Sequence, residues 1–430
     1  MSRRVLILSE DPVGEGMGGN AIRAYEIARA LAAHAQVTLL APLSGGGVGD
    51  VEHVPFARED LPELRARLRQ ADAVLALPQN PVLAKALRRS HAQVIYDLYD
   101  PRPLQVLEAH AGARALSRRL HAVIALDHYV AALATGDNLL CASERQRDLW
   151  IGALLGAGLI TPDRYASDPS LRDLIDVVPF GVPADPPQPS GPGPRERFPT
   201  LAPEDELVLW NGGLWNWLDP VGAVHAIARV VARRSGARLV FMGRPPLEAD
   251  QARAARSARE LARQLGLLDT VVLFNDGWVP YEERGAWLLA GDCAVSMHVE
   301  HLETRFSFRT RLLDCLWAGL PVVCTSGDEL AERVERERLG ASVPPGDTDA
   351  AAEAILGVLA SGRAAYRDAL ASAAEDYRWP VVIAPLVRYI TTPPAGAGNQ
   401  RGPLALGHGR WARAAVTRAG RVLLRAGRRR

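Results

Sequence analysis

Val5-Leu-Ile-Leu-Ser-Glu-Asp-Pro-Val-Gly-Glu-Gly-Met-Gly-Gly-Asn20 is the stretch that decides the fold, because it joins a short apolar run through a glycine-rich turn to a helix-period segment at 20–34. A short apolar run bounded by turn residues is typical of a buried strand, and a 3.6-residue period is typical of a helix. The same alternation continues and predicts an α/β fold with a parallel sheet and crossover helices. Strands of this half are predicted at 5–8, 37–41, 73–77, 94–96, 122–126 and 138–141.

A Pro- and Gly-rich segment at 183–203 separates this half from a second one. Such a composition disfavours helix and sheet interiors and predicts a linker. The alternation then restarts, with strands predicted at 207–210, 238–242, 271–274, 293–296 and 321–324 and helices at 220–234, 248–265, 281–290 and 309–318. We therefore expect doubly wound domains at 1–183 and 205–378, a linker at 184–204, a return segment at 379–392 and a tail at 393–430.

The composition is that of a globular protein with room for two cores. Its 430 residues exceed what one hydrophobic core usually organises, and 48% apolar with 23% charged residues is an average balance. The four cysteines lie apart without a C-x-x-C pair, which indicates reduced core residues rather than a zinc or redox site. The apolar run at the start is too short for a signal peptide, and no run approaches a membrane span of roughly 18 residues, so we expect a cytoplasmic protein.

The last part of the chain is basic. No acidic residue follows Asp376, whereas eleven arginines lie from Arg378 to Arg430. We expect this tail either to lie on an anionic membrane surface, at the inner face of the membrane, or to remain solvated and disordered. Nucleic-acid binding is the weakest alternative, and no nucleic-acid partner is predicted.

Gly14-Glu-Gly-Met-Gly-Gly19 satisfies the G-x-G-x-x-G pattern of dinucleotide sites. Five residues separate it from the first strand, and the second predicted strand does not end in an acidic residue, so a nicotinamide site is a weak interpretation. Gly18 and Gly19 still offer close backbone approach and amides at a helix start, suited to a donor phosphate or an acceptor. A flexible turn is the alternative.

The segment 298–323 carries the strongest functional signal. A loop rich in charged groups leads into a helix that we expect Ser307 to cap. Arg309 and Arg311 at its start are suited to a diphosphate, because backbone amides, the helix dipole and guanidinium groups all favour phosphate oxygens. Asp314, one turn inside, is expected to bind a ribose diol, or else only to pair with Arg311 on the helix surface.

Asp314-Cys-Leu-Trp-Ala-Gly-Leu-Pro-Val-Val323 resembles the E-A-M-A-x-G-x-P-V-V segment of family 4 retaining glycosyltransferases. Met17-Gly-Gly-Asn20 is similar to the glycine loop of that family, and Val178-Pro-Phe-Gly-Val182 to the end of its first domain. The resemblance covers most of residues 1–360. It implies the GT-B fold, in which two Rossmann-like domains face a central cleft, and metal-independent transfer from a nucleotide diphosphate sugar held by the second domain.

The chain departs from the family pattern at two places. The family has two glutamates eight residues apart, and here the second position is Asp314 while the first falls on Phe306, with Glu303 the nearest acidic residue. The arginine and lysine that the family places after the first strand of its second domain are missing from 210–220. We then expect the phosphates to be neutralised by Arg309, Arg311, Arg305 or Arg244.

The resemblance implies two sets of site residues. The catalytic set is Glu303 for the sugar hydroxyls, Asp100 for the acceptor hydroxyl and Arg309 for the departing phosphate. Asp100 has an alternative role, with Asp97, in capping the next helix. The donor-binding set is Gly18, Gly19, Asn211, Gly212, Gly213, Arg244, Trp278, Val279, Ser307, Phe308, Thr310, Arg311 and Asp314.

Three further patterns favour structural roles. Asp347-Thr-Asp349 matches the D-x-D metal pattern but is expected to cap a helix. His298 and His301, beside two glutamates, lack a second ligand set, so neither a metal nor a cofactor is predicted. Trp215 and Trp217 are expected in the core or the interdomain seam more than on a sugar face.

The sequence therefore predicts a retaining hexosyl- or deoxyhexosyltransferase of cell-surface glycan or glycolipid synthesis. Its substrates are expected to be a nucleotide diphosphate sugar and a glycan or lipid-linked acceptor. The alternative is a non-catalytic GT-B homologue that serves as a binding partner or sensor. A nicotinamide oxidoreductase is the third and weakest option.

Overall fold

The computed structural model describes residues 2–44, 51–57, 60–243 and 252–392. Arg244 and the predicted basic tail lie outside these residues. The chain divides into two compact units, of which unit 1 comprises Met1–Val13, Gly18–Pro179 and the chain from Ile383 onward. Unit 2 comprises Gly14–Met17 and Phe180–Val382.

Short strands alternate with helices along both units. The strands are β1 (Arg4–Leu8), β2 (Val13–Gly14), β3 (Gln36–Ala41), β4 (Leu43–Ser44), β5 (Glu52–Pro55), β6 (Ala73–Ala76), β7 (Gln93–Asp97), β8 (Asn138–Cys141), β9 (Ile175–Val177), β10 (Glu206–Trp210), β11 (Ala237–Phe241), β12 (Val272–Phe274), β13 (Cys293–Ser296), β14 (Val322–Thr325) and β15 (Gly340–Val343).

The helices are α1 (Gly19–Leu31), α2 (Leu61–Leu68), α3 (Pro81–Arg89), α4 (Arg102–Ala109), α5 (Ala115–Thr135), α6 (Glu144–Gly156), α7 (Pro162–Ser167), α8 (Pro194–Arg197), α9 (Pro220–Val231), α10 (Arg253–Gln264), α11 (Arg284–Ala290), α12 (Leu302–Phe306), α13 (Thr310–Ala318), α14 (Glu329–Arg336), α15 (Thr348–Ser361), α16 (Arg367–Glu375), α17 (Trp379–Val382) and α18 (Ala384–Thr391). Single 3₁₀ turns cover Tyr281–Glu283 and Arg363–Tyr366.

The main sheet of each unit is parallel and follows one winding rule. The order is β5-β3-β1-β6-β7-β8-β9 in unit 1 and β12-β11-β10-β13-β14-β15 in unit 2. In both sheets the next strands are added on one side of the first strand, and the later strands are added on its other side. The order thus reverses between β1 and β6 and again between β10 and β13, and such a reversal opens a crevice at the carboxyl ends of the strands, where ligands of α/β proteins bind.

Each sheet is buried between helices, as the apolar runs predicted. In unit 2 the core includes Val208, Trp210 and Phe241 from the strands and Ile227 and Ile355 from α9 and α15, all at most 1% exposed. Parallel strands covered on both faces are nearly continuous hydrophobic runs, which is why the strand predictions for this unit hold. The four cysteines are buried and unpaired, as predicted.

One predicted strand is wrong, and five strands were missed, of which β2 and β4 form a two-stranded sheet. Residues 122–126 lie inside α5, because alanine and leucine favour a helix over a short apolar strand when a long stretch permits it. The predicted linker contains the one-turn helix α8. The other missed strands, β5, β9 and β15, are short strands at sheet edges, where the apolar pattern is weak.

No helix in the part of the chain that the structure describes is both long enough and apolar enough to cross a bilayer.

A buried ion pair ties α1 to the sheet of unit 1. Arg23 is 1% exposed and donates through Nε and Nη2 to both oxygens of Asp97, at 2.5 and 3.0 Å. Its remaining bonds go to the backbone oxygens of Val178 and Pro179, at 2.8 and 2.9 Å. One guanidinium therefore connects the ends of β7 and β9 to α1, and Asp97 does not cap α4 as one alternative had it.

Replacing Asp97 by Ala should destabilise unit 1 by about 3–5 kcal/mol, because the guanidinium of Arg23 would remain buried without its counter-ion. Hydrogen exchange of peptides that cover β7 and α1 measures this loss. Glu63→Gln, which breaks the partly exposed pair with Arg67, is the control and should cost less than about 0.5 kcal/mol. Equal protection in the two variants would contradict the prediction.

Candidate active site

The crevice of unit 2 is formed by the loops that follow β10 and β13. Asp219 donates its backbone N–H to the carbonyl of Met297 at 2.9 Å, and a ring nitrogen of His301 lies 3.1 Å from the carbonyl of Trp217. Leu218 and His298 add an antiparallel bridge. These bonds hold the two loops together at the point where the strand order reverses.

The loop after β10 presents backbone rather than side chains. Gly212 has φ of +112°, a conformation that glycine adopts without strain. A Cβ at Gly243, after β11, would lie 2.0 Å from the carbonyl oxygen of Gly212, so only glycine permits this approach. Asn211 fixes the loop to α13 by donating to the carbonyl of Arg311 at 2.7 Å. The structure thus brings Asn211, Gly212 and Gly213 to the first turn of α13.

The Arg311 side chain lies against this glycine backbone. Its guanidinium carbon is 5.6 Å from the centre of the buried Trp210 ring, and its Nη2 is 3.5 Å from the carbonyl of Gly213. Its Nη1 is shielded from solvent and has no hydrogen-bond partner among the described residues. Burial, followed by the charge of Arg309, lowers the pKa of Arg311 to about 10. Arg311 therefore remains a cation at neutral pH, and no carboxylate in the described residues forms an ion pair with it.

Arg309 does not fit the predicted role of phosphate ligand. It is 4% exposed and donates to the carbonyl oxygens of Ser296 and Thr325, while its guanidinium pairs with the carboxylate of Asp328. The residue that precedes α13 is Arg309 itself, so the predicted cap at Ser307 is also wrong. Ser307 ends α12 and donates Oγ to the carbonyl of Thr304 at 3.1 Å.

His298 is a buried neutral group at the end of β13. It is 2% exposed, and neither ring nitrogen has a hydrogen-bond partner in the described part of the chain. Burial, Arg309, Arg311 and His301 all lower its pKa well below the ordinary value. Sequence reasoning considered His298 only as a metal ligand. Its orphaned nitrogens beside Arg311 now make it a candidate hydrogen-bonding group of the site.

Glu303 lies on α12, where the loop was expected. It is 1% exposed, with its carboxylate 3.8 Å from Nδ1 of His301, which caps α12 by accepting the N–H of Thr304. The family's first glutamate position, Phe306, is the last residue of the same helix.

Asp314 pairs with Arg284 at 3.3 Å rather than with Arg311. The guanidinium of Arg284 lies 3.6 Å from the Tyr281 ring centre and 4.4 Å from that of Trp317. Burial raises the pKa of Asp314, and Arg284 opposes this shift. The carboxylate is therefore held in one orientation, with its side chain 35% exposed.

The other predicted donor-binding residues of unit 2 lie after β12 and at the start of α13. Trp278 is 45% exposed and Val279 is half-buried, after a turn in which Asn275 accepts from the N–H of Gly277 at 3.1 Å. Thr310 begins α13, and the Phe308 ring lies 6.2 Å from that of Tyr377.

Two structural interpretations hold. Trp215 and Trp217 stack on each other at 5.4 Å and pack on the core, as one alternative had it. Asp347 caps α15 by accepting the N–H of Ala350 at 2.8 Å, as expected. Among residues 2–44, 51–57, 60–243 and 252–392, no three His, Cys, Asp or Glu side chains lie close enough to hold a metal ion.

In unit 1 the corresponding edge holds Gly18, Gly19 and Asp100. Gly18 precedes α1 with no side-chain cap, and Gly19 is its first residue. The hydroxyl of Tyr99 donates to Oδ1 of Asn20 at 2.5 Å. Burial raises the pKa of the half-buried Asp100 to about 6, and its side chain does not cap α4.

A model of the family described as Glycosyl transferases group 1 matches residues 206–361. Among solved structures, WaaG, a glycosyltransferase involved in lipopolysaccharide biosynthesis, is 17% identical with a TM-score of 0.62, over 90% of this chain and 100% of that one. HepE from Anabaena, in complex with UDP-glucose, is 15% identical with a TM-score of 0.61, over 90% and 98%. Sucrose-phosphate synthase from Thermosynechococcus elongatus is 17% identical with a TM-score of 0.57, over the same shares.

No curated protein matches the sequence. The structural likeness shows the fold, which is α/β with two parallel-sheet Rossmann-like domains of the GT-B type, as predicted. The family match lies on unit 2, which contains the crevice described above. Fold and family match together support a glycosyltransferase of the GT-B type.

Replacing Asp100 by Asn should change how stability depends on pH. The carboxyl of Asp100 has a pKa of about 6 in the folded chain, above its ordinary value of 3.8. The folded state therefore holds this proton more tightly, and the contribution of Asp100 to stability falls as pH rises from about 4 to above 6. Relative to wild type, Asp100→Asn should gain about 1–3 kcal/mol across this window.

Thermal unfolding from pH 4 to pH 7.5 checks this expectation. The control is Asp148→Asn, on the exposed face of α6, whose midpoint should stay parallel to that of the wild type. A constant difference between Asp100→Asn and the wild type at every pH would show that the carboxyl is not perturbed.

Proposed function

We propose that this chain is a glycosyltransferase that binds a nucleoside diphosphate sugar at the crevice of unit 2. It transfers the sugar to a glycan or lipid-linked acceptor with retention of anomeric configuration and without a metal ion. The sugar is a hexose or deoxyhexose, and the product belongs to cell-surface glycan or glycolipid synthesis at the cytoplasmic face of the membrane. WaaG and HepE, whose fold this chain shares, motivate the lipopolysaccharide-like pathway and the choice of UDP-glucose as a first donor.

The carrying observation is the unpaired cation of Arg311 beside the glycine backbone of 212–213. A buried guanidinium with an unsatisfied N–H is costly unless an acceptor reaches it. A diphosphate supplies both the charge and the oxygens, and glycine lets it approach the main chain. We therefore assign to Arg311 the neutralisation of the phosphates, which the family achieves with an arginine and a lysine that this chain lacks.

The other assignments follow from chemistry at the same edge. Asp314, oriented by Arg284, accepts hydrogen bonds from the ribose diol. Glu303 and His298 contact hydroxyls of the donor sugar. The backbone at Trp278 and Val279 contacts the nucleotide base.

In unit 1, Asp100 orients the acceptor hydroxyl, because a carboxyl with a raised pKa accepts and donates near neutral pH. The amides at Gly18 and Gly19, at the start of α1, favour an anionic group.

The protein contributes to the reaction mainly by stabilising the charge of the leaving diphosphate and by positioning the two substrates. The bond between the anomeric carbon and the diphosphate oxygen breaks, and its electron pair leaves with the diphosphate. The acceptor oxygen attacks from the face that the diphosphate leaves, and the acceptor proton passes to a leaving phosphate oxygen. Arg311 stabilises the charge that develops there, which is the largest contribution a preorganised site makes.

A non-catalytic GT-B homologue is the second candidate. It is favoured by the burial of Arg309 in an ion pair with Asp328, which leaves fewer cations at the crevice than the family has. Such a protein would bind the nucleotide sugar without consuming it, so a binding assay and a transfer assay together separate the two functions.

Arg311→Gln should weaken nucleoside diphosphate binding by about 10- to 100-fold, the value of a charge-assisted hydrogen bond in a shielded site. Calorimetry with UDP, GDP and dTDP measures the affinity. The control is Arg367→Gln, an exposed arginine on α16, which should bind as the wild type does. Full affinity in Arg311→Gln would show that the donor site lies elsewhere.

Retention predicts that an α-linked donor yields an α-linked product. Proton NMR of the product formed from UDP-glucose reads the anomeric coupling directly. A β-linked product would exclude the retaining mechanism while leaving the donor site intact.

A further inference from the structure

A groove on unit 1 lies between α2 and α3. Its volume is about 770 Å³, within the range of ligand-binding clefts. Leu68 and Ala86 form a buried apolar floor, and Val82 is 56% exposed at its margin.

The charged side chains at the margins of the groove are all basic. Arg65 and Arg69 on the α2 side and Lys85 and Arg89 on the α3 side are exposed, with His91 just beyond α3. None of the described residues that line the groove is acidic, and none of these four cations forms an ion pair with a described residue. The segment 61–91 contains six Lys or Arg against two acidic residues, in a chain whose formal charge is only +1.

The spacing of these cations is unfavourable without a ligand. Arg65 and Arg69 are four residues apart, as are Lys85 and Arg89, so each pair puts like charges on one face of its helix, where they repel. The helix dipole favours a cation in a last turn, but Lys85 lies in the middle of α3. Two facing pairs of like charge around an apolar floor are the arrangement that a concentrated anion stabilises.

We propose that this groove binds a phosphate-rich anion, that is, two or more phosphate groups carried close together. Phosphate concentrates more charge in a small volume than carboxylate does, and guanidinium groups bind its oxygens in pairs. The apolar floor accommodates an attached chain. The phosphates belong either to lipid headgroups or to a soluble polyphosphate, and the experiment separates these sources. The proposal does not depend on glycosyl transfer.

Lys85 provides a site-specific assay, because it is the only lysine among the 50 basic residues counted as Lys or Arg. The full chain is treated with an amine-acylating reagent, and mass spectrometry of the peptide that contains Lys85 gives the rate of modification. Inorganic tripolyphosphate, vesicles of phosphatidylglycerol in phosphatidylcholine and polyglutamate are added in parallel. We expect acylation to slow about tenfold at saturation with one of the two phosphate ligands and this protection to weaken as salt is added.

Protection by tripolyphosphate assigns the site to a soluble ligand, and protection by the vesicles alone assigns it to lipid headgroups. Arg65→Gln/Arg89→Gln should lose at least about tenfold in affinity for the protecting ligand. Arg114→Gln/Arg119→Gln, an equal change of charge on the exposed side of α5, should keep it. Unchanged acylation with both phosphate ligands, equal protection by polyglutamate, or equal loss in the two double variants would overturn the proposal.

Discussion

The crevice of unit 2 depends on the hydrogen bonds and the ion pair that the buried guanidinium of Arg309 forms. It binds the carbonyls of Ser296 and Thr325, where two neighbouring strands end, and it pairs with Asp328, whose carboxylate also caps α14. Loss of either charge would leave the other unpaired in the interior, a cost of about 3–5 kcal/mol. One residue therefore fixes β13, β14, α13 and α14 relative to each other.

This anchor explains why Arg311 and not Arg309 is available to a ligand. Arg309 precedes α13 in a non-helical conformation and its side chain is buried, whereas Arg311 lies in the first turn of α13 with its side chain against the loop after β10. The glycines at 212 and 243 then leave room for its guanidinium beside the main chain. The two arginines at the start of α13 thus differ in environment, because Arg309 forms a buried ion pair with Asp328 whereas Arg311 forms no ion pair with a described residue.

The fold could be predicted from the sequence because each unit repeats a buried apolar run followed by a helix. These wrong predictions share one physical origin. A sequence pattern does not specify which conformation a segment adopts or which way a side chain points. The segment 122–126 has the composition of a strand or of a helix, and only the length of α5 decides between them. Arg309 and Arg311 are equally basic in sequence, and only packing against Asp328 separates their roles. His298 stood out in the sequence only as a weak metal pattern with His301, because the sequence does not show that its ring nitrogens are buried without hydrogen-bond partners.

The four cysteines allow the opening of each unit to be followed separately. Cys141 belongs to unit 1, whereas Cys293, Cys315 and Cys324 belong to unit 2. Burial raises the pKa of all four thiols, to about 12 for Cys293 and Cys324, so native thiols resist alkylation. Covalent labelling then requires local unfolding. The labelling rates of the four thiols therefore report how often each unit opens.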